Sequence, residues 1–365
     1  MPVVPFRTLG QRGIIKDLPP YQLGETAFSD GSNIRFHLGN ITRSPIFRTV
    51  IDALPIVPLH VHGYRAPNGT DATFITGDNQ TQYRWAGGSL VDVTPLAYTP
   101  QTTARAITAC SLGQVVYVND AGNVPFYYGP ASTNFTALPG WGPTWRCRSL
   151  RPFQNYMVAL NVTKGATQFG NMVKWSNLAL NGLPPDSWDE TDASRSAGEN
   201  PLENLSTPLV DGVPLRNAMV LYSTDEIWAM EPTNDALIFS FRALFTSGGM
   251  IAQDCGVQVN GRHYVFGTND IYMHDGANKS SVIDGKNRAY VFGNLNKKKA
   301  YACFAAHLPT LGSILFGYAT GPSDSLVPAG SGCNKGALYD LSTGFWSFVD
   351  LPNVHSCTRV SVVGA

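Results

Sequence analysis

Aromatic residues recur along this chain at nearly even intervals, each in the middle of a short apolar segment. Tyr83 lies in Thr81-Gln-Tyr-Arg-Trp-Ala-Gly87, Tyr127 in Pro125-Phe-Tyr-Tyr-Gly129, Trp175 in Val173-Lys-Trp-Ser176, and Trp228 in Glu226-Ile-Trp-Ala-Met230. Tyr272 in Ile271-Tyr-Met-His-Asp-Gly276 and Tyr339 in Ala337-Leu-Tyr-Asp340 continue the series. The steps are 44, 48, 53, 44 and 67 residues, and the last is attributed to a loop at 321–335 rich in Gly, Ser and Pro. Unbroken β-branched and aromatic runs precede several of these segments: Gln114-Val-Val-Tyr-Val118, Tyr156-Met-Val-Ala-Leu160, Ala218-Met-Val-Leu-Tyr222 and His263-Tyr-Val-Phe266. Runs without polar alternation read as inner strands covered on both faces.

A period of 40 to 50 residues built only of strands marks a β-propeller, whose four-stranded blades cannot bury their faces alone. Asn119-Asp-Ala-Gly122, Thr268-Asn-Asp270 and Asp275-Gly276 supply turn chemistry where hairpins need positive φ or side-chain-closed turns. A pair of β-sandwiches is the competing architecture, although sandwich strands would not space their aromatics so evenly. The reading is therefore all-β: a propeller of about six blades over residues 51–365, preceded by an extended arm or small subdomain at 1–50. No window of a dozen residues carries helical apolar spacing free of Gly or Pro, and Pro19-Pro20 favours an extended arm. Residues 355–363 resemble the opening strand of a blade, much as 104–110 do. They either close the ring by pairing into the first blade or begin a further repeat of a longer protein.

Charge is sparse. Twenty-six basic and 26 acidic residues make 14% of the chain, against about 25% in ordinary soluble domains, which excludes a basic nucleic-acid reader and an acidic disordered chain. The first residues hold no apolar run of signal-peptide length, and no stretch approaches the ~18 apolar residues of a membrane-crossing helix. Cys110, Cys147, Cys255, Cys303, Cys333 and Cys357 are far apart and show no metal or redox spacing, so they read as reduced apolar fillers.

Catalytic signals are few. The adjacent pairs Asp189-Glu190 and Asp225-Glu226 would point to opposite faces of a strand and cannot work together as acid and base. His60-x-His62 would place two imidazoles on one strand face, half of a metal site with no third ligand in view. No nucleophile elbow, zinc-protease, phosphate-loop or calcium-loop motif occurs, and no cofactor is expected. Ser29-Asp-Gly31 is only a fragment of the sialidase-type propeller turn and lacks its tryptophan. Lys297-Lys-Lys299 is the single charge run, either a solvated turn or a contact with phosphates.

The N-terminal segment Gly13-Ile-x-x-Asp-Leu-Pro-Pro-Tyr-Gln-Leu23, then Ala27-Phe-Ser-Asp-Gly-x-Asn-Ile-Arg-Phe36, Gly39-x-Ile41 and Arg43-x-Pro45, resembles the opening of the tail nozzle proteins of short-tailed bacteriophages. These are also called packaged-DNA stabilisation or head-to-tail joining proteins. Val173-Lys-Trp-Ser176, Leu183-Pro-Pro-Asp-Ser-Trp188, Leu209-Val-Asp-Gly212, Glu226-Ile-Trp228, Ile238-Phe-Ser-Phe241 and Gly344-Phe-Trp-Ser347 are similar to that family's blade sequences. The resemblance implies a non-enzymatic virion protein, assembled in the host cytoplasm into a ring of six copies below the portal and adaptor proteins. Such a ring conducts the genome, retains it until ejection, and contacts tail fibres. It implies non-specific contact with viral DNA, for which Lys297, Lys298 and Lys299 are the candidates, and no membrane contact at rest. Within the arm, Asp30, Gly31 and Asn33 would shape a tight turn, and Arg35 would pair between strands or between subunits. The alternatives are a carbohydrate- or receptor-binding tail propeller, with Trp141 and Trp145 as glycan contacts, and a cellular propeller that binds a protein partner.

Overall fold

In the computed structural model, residues 10–37, 40–44, 47–51, 54–66, 68–77, 81–99, 107–233, 237–321 and 332–358 are described. Six four-stranded antiparallel meanders follow one another at residues 58–92, 108–137, 145–201, 209–245, 256–281 and 304–354, here blades 1 to 6. Tyr83, Tyr127, Trp175, Trp228, Tyr272 and Tyr339 each lie in the third strand of their blade, so the aromatic period is the blade period. The first strand of blade 3 (Trp145–Phe153) packs beside the first strands of both neighbouring blades. This is the six-bladed β-propeller expected from the spacing.

The apolar runs are the second strands of their blades, one place out from the axis. Val115–Asn119 in blade 2 is buried throughout, and in blade 3 the strand Tyr156–Lys164 is buried as far as Val162. A second strand has hydrogen-bonded neighbours on both edges and blades on both faces, so polar alternation would leave unpaired groups in a dry interior. The axial first strands border the channel and can carry charge. Between blades 1 and 2 the core holds Phe74, Val116, Phe126 and Phe135, and between 2 and 3 it holds Tyr117, Leu150, Met157 and Trp188. One larger cluster runs through blades 4, 5 and 6.

The arm is built into that large cluster. Ile14 is fully buried, Phe36 is 2% exposed, and the Ile14 amide donates to the Trp346 carbonyl of blade 6 at 3.0 Å. The hairpin Ile34–His37 and Asn40–Arg43 lies against the last strand of blade 6. The extended arm expected from Pro19-Pro20 is corrected at one point, because Pro20–Leu23 forms a single helical turn, α1. Proline is tolerated there because the first amides of a helix have no partner within it. Gly39 and Pro45 of the arm motif lie outside the described residues.

The long last step of the period also has a second source. Between blades 5 and 6 the chain inserts α2 (Arg288–Asn294) and a 3-10 turn, Lys297–Ala302. The loop to which the excess was attributed lies outside the described residues from 322 to 331. Asp17 of the arm accepts from the Ala289 and Tyr290 amides at 2.8 and 2.9 Å and so caps α2 from 272 and 273 residues away. Residues 355–358 leave blade 6 without strand structure, and the Gly63 amide of blade 1 donates to Thr358 Oγ1 at 3.1 Å. The rest of the expected closing strand, 359–363, lies outside the described residues. All six cysteines are free thiols, five of them buried.

Candidate functional site

Four blades send a charged or ionisable side chain to the axis. Arg151, on the first strand of blade 3, reaches Asp211 of blade 4 through two parallel bonds, Nε to Oδ1 at 2.7 Å and Nη2 to Oδ2 at 2.6 Å. The same Nη2 donates to Asp254 Oδ1 at 2.6 Å, just ahead of blade 5, and His60 Nε2 of blade 1 stands 3.5 Å from Asp254 Oδ2. Blades 1, 3 and 5 are therefore joined across the axis through one carboxylate. Ser149 Oγ adds a bond of 2.5 Å to Asp211, and the Asp254 amide adds one of 2.9 Å.

The local backbone sets this geometry. Asp211 sits at a register shift after Leu209, and Asp254 adopts φ 58°, which turns its carboxylate inward before the strand begins. Burial alone would lower the Arg151 pKa and raise that of Asp254. Asp211 and Asp254 instead hold the guanidinium well above its usual value, and Arg151 with His60 holds Asp254 well below the carboxylate range. Asp211 is 1% exposed, whereas the Asp254 side chain keeps 37% of its surface open. Arg151 and Asp254 are thus held in their charged forms against each other, and Asp254 is not poised to exchange a proton near neutrality.

His62 does not complete a metal site with His60. It turns to Ser111 Oγ of blade 2 at 2.7 Å, beside a cleft of about 540 Å3, while His60 turns to Asp254. Burial and the neighbouring His60 hold His62 down at about 4, so it is neutral at pH 7 and a weak base toward Ser111. Among the described residues no group of three His, Cys, Asp or Glu could hold a metal ion.

The arm motif is brought together with blade 6. Asp30 pairs with Lys16 and accepts the Gly31 amide at 2.7 Å. Asn33, at φ 58°, donates its amide to the Phe348 carbonyl at 2.8 Å, accepts the Asp350 amide at 2.9 Å and donates Nδ2 to Asp350 Oδ2 at 2.7 Å. Arg35 bonds the Leu311 carbonyl and stands 3.6 Å from Asp340 Oδ2, both in blade 6 or its connections. His37 Nδ1 adds a contact to Asp340 at 3.0 Å.

Lys297, Lys298 and Lys299 open the 3-10 turn between blades 5 and 6, with Lys297 and Lys298 exposed. Trp141 is 7% exposed, stands edge-on to Trp188 at 4.8 Å and donates Nε1 to the Trp145 carbonyl. It offers no ring face to a glycan. Trp145 lies under the ammonium groups of Lys164 and Lys174, each 4.8 Å from its ring. Those lysines clasp Glu190 and Glu199, and Lys174 is completely buried among them. Burial would raise the Glu190 carboxyl, but Lys174 holds it at about 2.

No family model matches the chain, and neither does any curated protein. Many solved structures are similar to it, among them the two that follow. The computationally designed Ika8 protein is 11% identical at TM-score 0.47, covering 85% of this chain and 92% of its own. YCF48 from Cyanidioschyzon merolae is 9% identical at TM-score 0.39, covering 78% and 94%. Likeness at that level carries nothing about function, and the six-bladed fold rests on the strand pairing itself.

Ser149, Arg151, Asp211 and Asp254 were not singled out by sequence. For Arg151, Asp211 and Asp254 a signal is nonetheless visible: a charge inside or just before the opening strand of a blade, where a core position would be apolar.

Proposed function

We propose that this protein is a structural subunit of the tail vertex of a short-tailed bacteriophage, assembling with its own copies into a ring below the portal and adaptor proteins. The observation that supports this reading is the axial cluster. His60, Asp254, Arg151 and Asp211 cross the centre of the propeller, so a genome is conducted between copies and not through a single subunit. The ionised groups there bind one another, which suits a rigid building block better than an acid–base catalyst.

The surface offers the contacts such a ring needs. Leu178, Leu180 and Leu183 are 46%, 65% and 57% exposed on one connection of blade 3, an apolar patch that a neighbouring copy would cover. Lys297 and Lys298 give the blade 5–6 connection a cationic edge suited to phosphates without base readout. Mass photometry of the purified chain, with cryo-EM of the chain added to tail-vertex particles, tests the proposal. A closed ring coaxial with the portal is expected. A chain that remains monomeric and never joins the vertex overturns it.

A further inference from the structure

The packing between blades 1 and 2 opens outward into a cleft of about 690 Å3. Its floor is Ala72, Phe74 and Val116, which are 7%, 3% and 1% exposed. Strand register places Arg84 directly opposite Phe74 and Tyr64 directly opposite Ala72, so all four side chains stand on one face of blade 1. Tyr128 of blade 2, paired with Val116, forms the far wall, with its ring 5.2 Å from that of Phe74. Tyr64, Arg84 and Tyr128 are each half-buried.

Arg84 has neither an ion pair nor a hydrogen bond to any of the described residues, and no Asp or Glu lines the cleft. This sets it apart from Arg151, Arg146, Arg195 and Arg242, all of which bind protein acceptors. A half-buried guanidinium has five donors in a planar fork, and burying them without acceptors is costly unless a ligand supplies them. The fork matches a carboxylate through two parallel bonds. Tyrosine rings offer flat apolar walls with polar tips, suited to the C–H face of a pyranose. Ser132 Oγ accepts the Gly129 amide at 3.0 Å and keeps its own proton for donation, and Gln114 Nε2 binds Asn181 at 3.0 Å, which leaves its carbonyl oxygen for an acceptor role.

We propose that this cleft binds a carboxylated saccharide, with the acid on Arg84, the sugar between Tyr64 and Tyr128, and hydroxyls on Gln114 and Ser132. One cation, two rings and a few neutral polar groups over an apolar floor is the composition of a small-ligand site, in which a few placed polar groups give the specificity. The test uses the purified chain alone.

Calorimetry and ligand-observed NMR with digalacturonate and with sialyllactose distinguish a uronic from a sialic acid. Lactose and inorganic phosphate serve as the uncharged and the non-sugar comparisons. Saturable binding of one acidic sugar is expected, at least tenfold tighter than either comparison. Arg84→Gln should weaken it at least tenfold with unchanged Tm, and Arg84→Lys should restore part of it. The proposal is overturned if neither acidic sugar binds, if lactose or phosphate binds as well, or if Arg84→Gln binds like the parent.

Discussion

Tyr222 donates its hydroxyl proton to Nδ1 of His263 across 2.6 Å, between the second strands of blades 4 and 5. The partners fix the direction. His263 Nε2 lies 2.9 Å from the Pro214 carbonyl, which only accepts, so that nitrogen carries the proton and Nδ1 is bare. The Gly276 amide donates to His274 Nδ1 at 3.2 Å, so His274 is protonated at Nε2 and donates to Tyr222 at 2.6 Å. The order is His274 to Tyr222 to His263 to Pro214, with both imidazoles neutral and all three side chains buried.

Acid should therefore loosen this seam. Burial holds His263 at about 4 and His274 at about 3, against 6.5 when unfolded. Between those values the unfolded chain binds more protons, so stability is complete above pH 6.5 and falls as pH drops toward 4. The slope is up to about 1.4 kcal/mol per pH unit for each histidine. Denaturant unfolding between pH 7.5 and 4 measures this. Tyr222→Phe should cost about 1–3 kcal/mol by leaving His263 Nδ1 and the His274 proton unpaired. A flat pH profile would show that the histidines are not held neutral.

The axial cluster predicts an asymmetry between single and double changes. Arg151→Met strands Asp211, which is 1% exposed, and should cost about 3–5 kcal/mol. Adding Asp211→Asn should recover much of that loss, because it removes the buried charge left alone. Equilibrium unfolding of the two single variants and the double variant tests the coupling. Additive losses would mean that the pair is not coupled.

Gly249 leaves no room for a side chain. A Cβ there would lie 2.2 Å from the Ser223 carbonyl oxygen and 2.4 Å from the Asp225 amide nitrogen, both backbone atoms. Gly249→Ala should destabilise by at least about 1–3 kcal/mol, since backbone cannot yield as a flexible side chain can. At Gly31 the new Cβ would meet Ile34 Cδ1 at 2.7 Å and Ile14 Cδ1 at 3.1 Å. Gly31→Val should loosen the arm from blade 6, seen as faster proteolysis within residues 10–44, with a smaller loss in Tm than Gly249→Ala gives.

Asp17→Ala removes two capping bonds from α2. A loss of about 0.5–2 kcal/mol is expected. Hydrogen exchange should accelerate at Ala289 and Tyr290, while the second strands of blades 2 and 3 keep their protection. Unchanged exchange at those two amides would mean that the helix does not depend on the arm.

The sequence by itself determined the periodic part of this protein. Tyr83, Tyr127, Trp175, Trp228, Tyr272 and Tyr339 mark the third strand of each blade, because each blade repeats one four-stranded unit that must pack on its neighbours and so returns the same position at a near-fixed step. What joins distant segments was decided only by the tertiary structure. Arg151 meets Asp254 across 103 residues, Asp17 caps α2 across more than 270, and Arg84 comes to face Tyr128 only because blades 1 and 2 pack together. A charge in a strand announces that it needs a partner, but closing the ring of blades chooses which one, because the axis brings together residues that no spacing along the chain relates.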